Sequence, residues 1–457
     1  MSELFDNILS DVRANAYLCD QLLAIAEGVD LPSFSIKRDC HQKVCNWLDI
    51  LNIMQIKNIY QTAYGKPSVA FFCPTKAFRN QFAEIPNLLE ERGITVLYLY
   101  GEKHKDEFEG HETSFYVGGD VILKNLGFID VFCVASTMDC LPRKSKKVLF
   151  NHISFADFTP NQQQGFCPSL DNISEIYENY GYLTAFFPLF DYYFVPSKVY
   201  SRQFQEDKNF FQRQSSAGIA KPDWLRNFFL ERLPADAVNL DPEIVELGYP
   251  KFDYVKAGKQ ECNQNEEKII VYAPTHTAHS HVEDWRPYIS VIDYGCDIVA
   301  SLAQNFPEYE IVFKPHIEEE QKIVDSVMLA ARTYKNISLS RVGPEYADVY
   351  NRASILVSDF SSTAYTFAIS TKRPVLFFSH NEKVLQNELA DNEYCINREK
   401  VGIVTTELAC LTRDASELLS ELNCYERRIC SFVDQNIFNF GESSKKCVDK
   451  ICAIVGV

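Results

Sequence analysis

The chain has 457 residues, of which 46% are apolar and 23% charged, the composition of a soluble globular protein with room for two domains. Its net charge of −17 argues against general binding to nucleic acid, because contact with a phosphate backbone requires a basic face. The acidic N-terminus has no signal-peptide apolar core, and no apolar run approaches the roughly 20 residues of a membrane-spanning helix. A basic run at 143–147 is either a solvated edge or a contact with anionic lipid. We therefore predict a cytoplasmic protein with peripheral contact at the inner face of the cytoplasmic membrane.

The first 65 residues show apolar side chains at helical spacing, and from Ser68 short apolar strands alternate with helices. Strands are predicted at 69–73, 94–99, 131–134, 148–152, 192–195, 268–272, 309–314, 355–358 and 375–378. Helices of good spacing are predicted late in the chain, at 344–352, 406–433 and 443–454. Apolar strands that alternate with helices indicate parallel sheets covered on both faces, and hence an α/β fold.

The alternation is interrupted at 204–240 by a polar, aromatic segment, which suggests two domains. We predict a Rossmann-like domain over 1–240, with a helical N-terminal extension, and a second Rossmann-like domain over 241–457. Ligands of such sheets bind beyond the carboxyl ends of the strands. Polar residues follow five predicted strands, at 151–152, 196–197, 275–276, 314–316 and 358–363. Because these ends come from both domains, the sequence predicts a cleft between them.

The stretch from Val357 to Ala364 has the pattern of a buried strand, a hydroxyl-lined turn and a helix. Ser361, Ser362 and Thr363 lie where free backbone N–H groups and the positive end of the helix dipole meet, which suits a phosphate or diphosphate. An ordinary Ser/Thr helix cap is the alternative. Asp359 is expected to brace this turn more than to touch the ligand.

The cysteines and histidines do not predict a metal site. The fifteen cysteines are scattered and form no CxxC pair. The closely spaced pairs Cys424 with Cys430 and Cys447 with Cys452 have no nearby histidine, so zinc is not expected and the thiols are read as reduced. His276, His279 and His281 cluster in one loop, but their spacing favours a solvated loop near the ligand over metal ligation. We predict neither a metal nor a cofactor.

Four motifs resemble one family in their order and spacing: Gly248-Tyr249-Pro250, Tyr272-Ala273-Pro274-Thr275, Lys314-Pro315-His316 and Ser358-Asp359-Phe360-Ser361-Ser362. They are similar to motifs of the CDP-glycerol glycerophosphotransferases, which build teichoic acids and capsule polymers. The resemblance is clearest from 245 to 380. It implies a GT-B fold with an acceptor-side N-terminal domain and a nucleotide-side C-terminal domain.

The resemblance also implies a reaction and roles for residues. A glycerol or ribitol phosphate would move from a CDP-activated donor to a hydroxyl of a surface polysaccharide or lipid-linked acceptor, with release of CMP. His152 matches the family's candidate general base, a role typically worth about 10²–10⁴-fold, and His316 matches the histidine expected at the donor phosphates. Without a metal, a helix N-terminus, an imidazolium and a lysine or arginine would balance the phosphate charge. The predicted donor-binding residues are Thr275, His276, Lys314, Ser358, Asp359, Ser361, Ser362, Thr363 and Arg373.

Two positions depart from the family pattern, and three other functions stay open. Thr366 stands where an acidic residue is usual, and His152 lies between Asn151 and Ile153, where Trp and Gly are common. A GT-B glycosyltransferase with a CMP- or UDP-sugar donor, acting in capsule or lipopolysaccharide synthesis, fits the same turn. A sugar-nucleotide epimerase fits less well, because the turn lacks glutamates. A non-catalytic scaffold would need neither His152 nor His316.

Overall fold

The computed structural model describes residues 66–73, 81–100, 114–116, 126–135, 141–142, 144–151, 154–155, 189–216, 239, 241–253, 268–277, 288–316, 319–340, 346–389 and 391–457. Two parallel β-sheets with helices form the described part of the chain. This arrangement confirms the predicted α/β class. No helix among these residues is long and apolar enough to cross a membrane.

The first sheet has seven parallel strands in the order β3-β2-β1-β4-β5-β6-β7. The strands are β1 Ser68–Cys73, β2 Thr95–Tyr100, β3 Ser114–Tyr116, β4 Val131–Val134, β5 Lys146–Phe150, β6 Tyr192–Val195 and β7 Glu243–Glu246. The helices among the described residues of this part of the chain are α1 Ile85–Glu91 and α2 Lys198–Ser216. The inner strands are buried apolar runs, as predicted, whereas the sequence did not indicate β7, an edge strand that begins and ends with glutamate.

The second sheet has six parallel strands in the order β10-β9-β8-β11-β12-β13. The strands are β8 Ile269–Tyr272, β9 Glu310–Phe313, β10 Ile337–Leu339, β11 Ile355–Ser358, β12 Val375–Phe378 and β13 Gly402–Thr405. The helices are α3 Ser290–Asn305, α4 Gln321–Ala331, α5 Tyr346–Arg352, α6 Ser362–Thr371, α7 Glu382–Leu389, α8 Glu393–Val401, α9 Leu411–Ser420, α10 Leu422–Asn436 and α11 Ser443–Val455. Four central strands, β8, β9, β11 and β12, confirm the predicted strands of this half.

The last helix of the chain, α11, packs on the first sheet. Cys447 and Val448 share a buried cluster with Val69 and Phe71 of β1. Lys450 on α11 forms a 2.6 Å ion pair with Glu243 of β7. The chain therefore returns to the first sheet after it has completed the second. We propose that the boundary between the two domains lies just after β7, a few residues beyond the predicted boundary at 240.

The junction between the sheets is closely packed. Gly248 has φ +90°, and a Cβ there would lie 2.3 Å from the carbonyl oxygen of Phe438, so no larger residue fits without a shift. Asp253 accepts hydrogen bonds at 3.3 and 2.6 Å from the backbone N–H groups of Ser443 and Ser444, at the start of α11. Phe155, which follows β5, packs its ring 4.7 Å from that of Tyr365 on α6. These contacts join the two halves beside the carboxyl ends of their strands.

Candidate active site

The predicted strand, turn and helix are present at residues 355–371. β11 ends at Ser358, and α6 begins at Ser362 with Ser361 as its N-cap residue. The Ser361 hydroxyl accepts a 3.4 Å hydrogen bond from the backbone N–H of Thr363, and the Ser361 N–H donates to the hydroxyl of Tyr394 at 3.1 Å. The turn therefore places the N-terminus of a ten-residue helix at the carboxyl edge of the second sheet, where an anion is favoured.

Asp359 braces the turn from inside the protein. One carboxylate oxygen accepts from the N–H and hydroxyl of Thr275 at 2.8 and 2.6 Å, and the other from the N–H and hydroxyl of Ser290 at 2.7 Å each. Burial raises the pKa of Asp359, while these four hydrogen bonds act in the opposite direction. The neighbouring Ser358 hydroxyl donates to the carbonyl of Ala273 at 2.7 Å. Both side chains thus tie β11 to the end of β8.

Two predicted histidines meet at this edge. His276 follows β8 and His316 follows β9, and these strands are neighbours in the sheet. The imidazole rings stack with centroids 4.6 Å apart and planes inclined by 19°. Parallel neighbouring strands direct their carboxyl ends to one edge, which explains why residues forty positions apart come together.

Lys314 is linked to the same turn through Tyr350 on α5. Its Nζ lies 5.9 Å from the centre of the Tyr350 ring, and the Tyr350 hydroxyl lies 2.6 Å from the Thr363 hydroxyl. Burial lowers the pKa of Lys314 to about 8. A lysine that is partly removed from water gains from an anionic partner, because an opposite charge stabilises the protonated form.

Lys251 is a second cation that the sequence prediction missed. It directly follows Gly248-Tyr249-Pro250, at the junction between the sheets. Burial, and secondarily the positive charge of Lys314, lower its pKa to about 7. Lys251 therefore lies close enough to Lys314 for that positive charge to act on its pKa. In the sequence, the position of Lys251 next to one of the four motifs could have indicated a role. It does not follow a predicted strand, so it was not included among the site residues.

His380 was also missed. It comes two residues after β12, at the same edge as the turn, and its ring lies 4.9 Å from that of Tyr294 on α3. Burial lowers the pKa of His380, against the charges of Asp293 and Asp359, which raise it. Among the described residues, its Nδ1 has no hydrogen-bond partner. A single histidine after a strand carries no motif that would have singled it out.

Arg373 is not brought to this edge, contrary to the prediction that it binds the donor. Its guanidinium donates hydrogen bonds to the carbonyls of Ala353 and, at 3.1 Å, Asn351, which both precede β11. Arg373 itself precedes β12, so these groups lie at the amino edge of the parallel sheet. The ten residues of α6 span roughly 15 Å and carry the chain across the sheet, away from the turn.

His152, together with His279 and His281, lies outside the described residues. The residues on either side of His152 are described. The Asn151 N–H donates to the carbonyl of Phe194 at 3.3 Å, at the carboxyl end of the first sheet. Ser154 and Phe155 are fully buried against the second half. Of these neighbours, Ser154 and Phe155 contact α6, through Thr366 and Tyr365.

The described site can bind an anion. A helix N-terminus with the hydroxyl-bearing residues Ser362 and Thr363 lies at the carboxyl edge of the second sheet, as do Lys314 and the histidine pair. Lys251, whose pKa is also lowered, lies at the junction. Among the described residues, no group of three or more His, Cys, Asp or Glu is placed to hold a metal ion.

Residues 224–453, half of the chain, match the family model described as CDP-glycerol:poly(glycerophosphate) glycerophosphotransferase. No curated protein matches the chain.

Solved structures share the fold at low sequence identity. The wall teichoic acid polymerase TagF is 15% identical with a TM-score of 0.57, over 90% of this chain and 94% of that chain. A Listeria monocytogenes structure assigned as a UDP-N-acetylglucosamine 2-epimerase is 10% identical with a TM-score of 0.54, over 85% and 96%. The UDP co-structure of S. aureus MnaA is 12% identical with a TM-score of 0.50, over 86% and 97%. These likenesses confirm the predicted GT-B fold.

Proposed function

Since the chain belongs to the CDP-glycerol:poly(glycerophosphate) glycerophosphotransferase family, as its motifs predicted, we propose that it transfers a polyol phosphate from a CDP-activated donor to a hydroxyl group. The acceptor oxygen attacks the phosphorus that carries the polyol. The bond from that phosphorus to the bridging oxygen breaks, its electron pair leaves with CMP, and a phosphodiester forms. The observation that carries this proposal is the braced turn at Ser361, with cationic and histidine side chains beside it, inside the matched residues.

The diphosphate of the donor belongs at the start of α6. Backbone N–H groups and the helix dipole favour its negative charge, and Ser362 and Thr363 add hydroxyl groups there. Lys314, beside Tyr350, and Lys251, at the junction between the sheets, would neutralise the charge of the phosphates. Asp359 and Ser358 act one layer deeper, because their side-chain oxygens already bond to Thr275, Ser290 and Ala273.

His152 is proposed as the general base that takes the proton of the acceptor hydroxyl. A hydroxyl is a poor nucleophile near neutral pH, and a positioned histidine removes its proton during the attack. Its neighbours support this role: Asn151 lies at the carboxyl edge of the first sheet, and Ser154 is buried against α6. His316, stacked on His276, is proposed to stabilise charge on the donor phosphates.

We extend the proposal to the acceptor and the site of action. TagF is named as a polymerase of wall teichoic acid, which supports a surface polysaccharide or lipid-linked polymer as acceptor. Such an acceptor, in teichoic acid or capsule synthesis, would bring the protein to the inner face of the cytoplasmic membrane. The phosphate charge is balanced by lysine, histidine and the helix N-terminus, so transfer should proceed without a metal. Activity that persists in EDTA supports this mechanism, and complete loss rejects it.

The first test is thermal unfolding of the full chain with CMP, CDP, UDP, GDP and ADP in turn. A ligand at 100 times its dissociation constant adds about 2.7 kcal/mol to the free energy of unfolding. Selective stabilisation by the cytidine nucleotides supports transfer from a CDP-activated polyol. Preference for UDP would instead indicate a glycosyltransferase with a UDP-sugar donor. No response to any nucleotide would favour a non-catalytic scaffold.

A further inference from the structure

The loop that carries His276 is held by two buried carboxylates, one on each side of the histidine. Thr275 donates its N–H and its hydroxyl to Asp359, at 2.8 and 2.6 Å. Thr277 donates the same two groups to Glu319, its N–H at 3.0 Å. Asp359 and Glu319 are only 3% and 4% exposed. The same pair of hydrogen bonds to a buried carboxylate, which we call the clamp, therefore holds the residue on each side of His276.

Glu319 also holds the loop that carries His316. Its own N–H donates to the carbonyl of His316 at 3.0 Å. Its carboxylate accepts a further hydrogen bond of 3.0 Å from the N–H of Glu320. One side chain thus joins the segment after β8 to the segment after β9, and the imidazoles stack directly beside this link.

We propose that Glu319 is a positioning residue that holds His276 against His316, so that the two imidazoles meet the donor diphosphate as one preformed pair. This inference rests on the proposed function. A buried carboxylate with charge-assisted hydrogen bonds to a backbone N–H and a hydroxyl fixes that segment firmly. A loop ordered before binding avoids the loss of conformational entropy that a mobile loop would suffer when the ligand arrives.

Glu319 offers a cleaner test than Asp359. Asp359 also bonds to Ser290 at the start of α3, so its replacement would disturb that helix as well. Glu319→Gln keeps the shape of the side chain but turns an amide NH₂ toward groups that are themselves donors. Thr277→Val removes one donor at nearly constant volume, and Thr277→Ser keeps both. Glu320→Gln is the matched control, because the Glu320 side chain is 53% exposed and pairs with Lys322.

The experiment measures the dissociation constant of CDP-glycerol by calorimetry for the full chain. Glu319→Gln should weaken binding about tenfold, equivalent to about 1.4 kcal/mol. Thr277→Val should act in the same direction, while Thr277→Ser and Glu320→Gln should bind as the wild type. The decisive comparison is with His276→Ala: Glu319→Gln should weaken binding no further once the His276 ring is gone. Losses that multiply in the double variant would overturn the inference, as would wild-type binding by Glu319→Gln.

A spectroscopic readout separates this inference from the proposed function. The chain has nine histidines, few enough to resolve their ring signals by NMR. Thr277→Val and Glu319→Gln should shift the His276 and His316 ring signals together, since the stack would loosen. Unmoved signals would refute the clamp. Should the wild type fail to bind CDP-glycerol, the proposed function fails, and the ring signals alone decide the role of Glu319.

Discussion

The hydroxyl of Ser154 lies 3.0 Å from the hydroxyl of Thr366, and both are buried where the two halves of the chain meet. Ser154 comes two residues after His152, and Thr366 is in the second turn of α6. The Thr366 hydroxyl also lies 3.3 Å from the carbonyl of Ser362. Thr366 stands at the position where the family resemblance predicts an acidic residue. In this chain it links Ser154, close in sequence to the proposed base, to α6.

Thr366→Val should lower the stability of the chain, because the valine keeps the shape but leaves the buried Ser154 hydroxyl without this partner. The expected loss is about 1–3 kcal/mol in the free energy of unfolding, measured by thermal or denaturant unfolding. Thr366→Ser serves as the control that keeps a hydroxyl. The double variant with Ser154→Ala should lose less than the two single losses combined. Fully additive losses would contradict a direct contact.

Ser361→Ala and Ser362→Ala should separate stability from donor binding. Ser361 caps α6, so its replacement should cost about 0.5–2 kcal/mol of stability and weaken CDP binding too. Ser362 is the first helical residue and not the cap, so Ser362→Ala should weaken CDP binding with little change in the unfolding midpoint. Calorimetry and thermal unfolding on the same samples provide both values. Unchanged affinity in both variants would place the diphosphate elsewhere.

The affinity for CDP-glycerol should fall as the pH rises through about 7 to 8. Lys251 and Lys314 have pKa values of about 7 and about 8, below the ordinary 10.5, and each is charged only below its own pKa. The stability of the nucleotide-free chain should follow the opposite trend. Above these values and up to 10.5, the unfolded chain binds more protons than the folded chain, so the free energy of unfolding rises with pH.

Lys251→Met tests the source of this behaviour. The variant should weaken CDP-glycerol binding below pH 7, where Lys251 is charged, and lose the lower part of the pH dependence. It should also unfold at a higher temperature than the wild type, because it no longer desolvates a cation. Lys268→Met is the matched control, since Lys268 is exposed beside the Tyr309 ring. A pH profile identical to that of the wild type would remove Lys251 from the donor site.

His152→Ala should abolish transfer while the affinity for CDP stays near that of the wild type. A general base acts on the acceptor proton and adds little to binding of the nucleotide, so the loss should fall on the rate, by about 10²–10⁴-fold. Transfer of labelled glycerol phosphate and calorimetric binding of CDP measure the two quantities. An equal loss of binding and transfer would remove the base assignment.

By itself, the sequence determined the features that depend on neighbouring residues. Apolar runs set the central strands, and the hydroxyls after Val357 mark a helix start, because both effects act within a few residues. The order of four short motifs was enough to identify the family, as the match over 224–453 confirms. Edge strands such as β7 were not predicted, because they bury little apolar surface and carry charged side chains.

Only the tertiary structure decided which distant residues share the site. Arg373 is close to the turn in sequence, yet α6 carries it to the opposite edge of the sheet. Lys251 lies about sixty positions before Lys314 but close enough to feel its charge, and Glu319 reaches Thr277 from the neighbouring strand end. These placements follow from strand order and helix length, which are set by the packing of the whole chain and not by any local pattern.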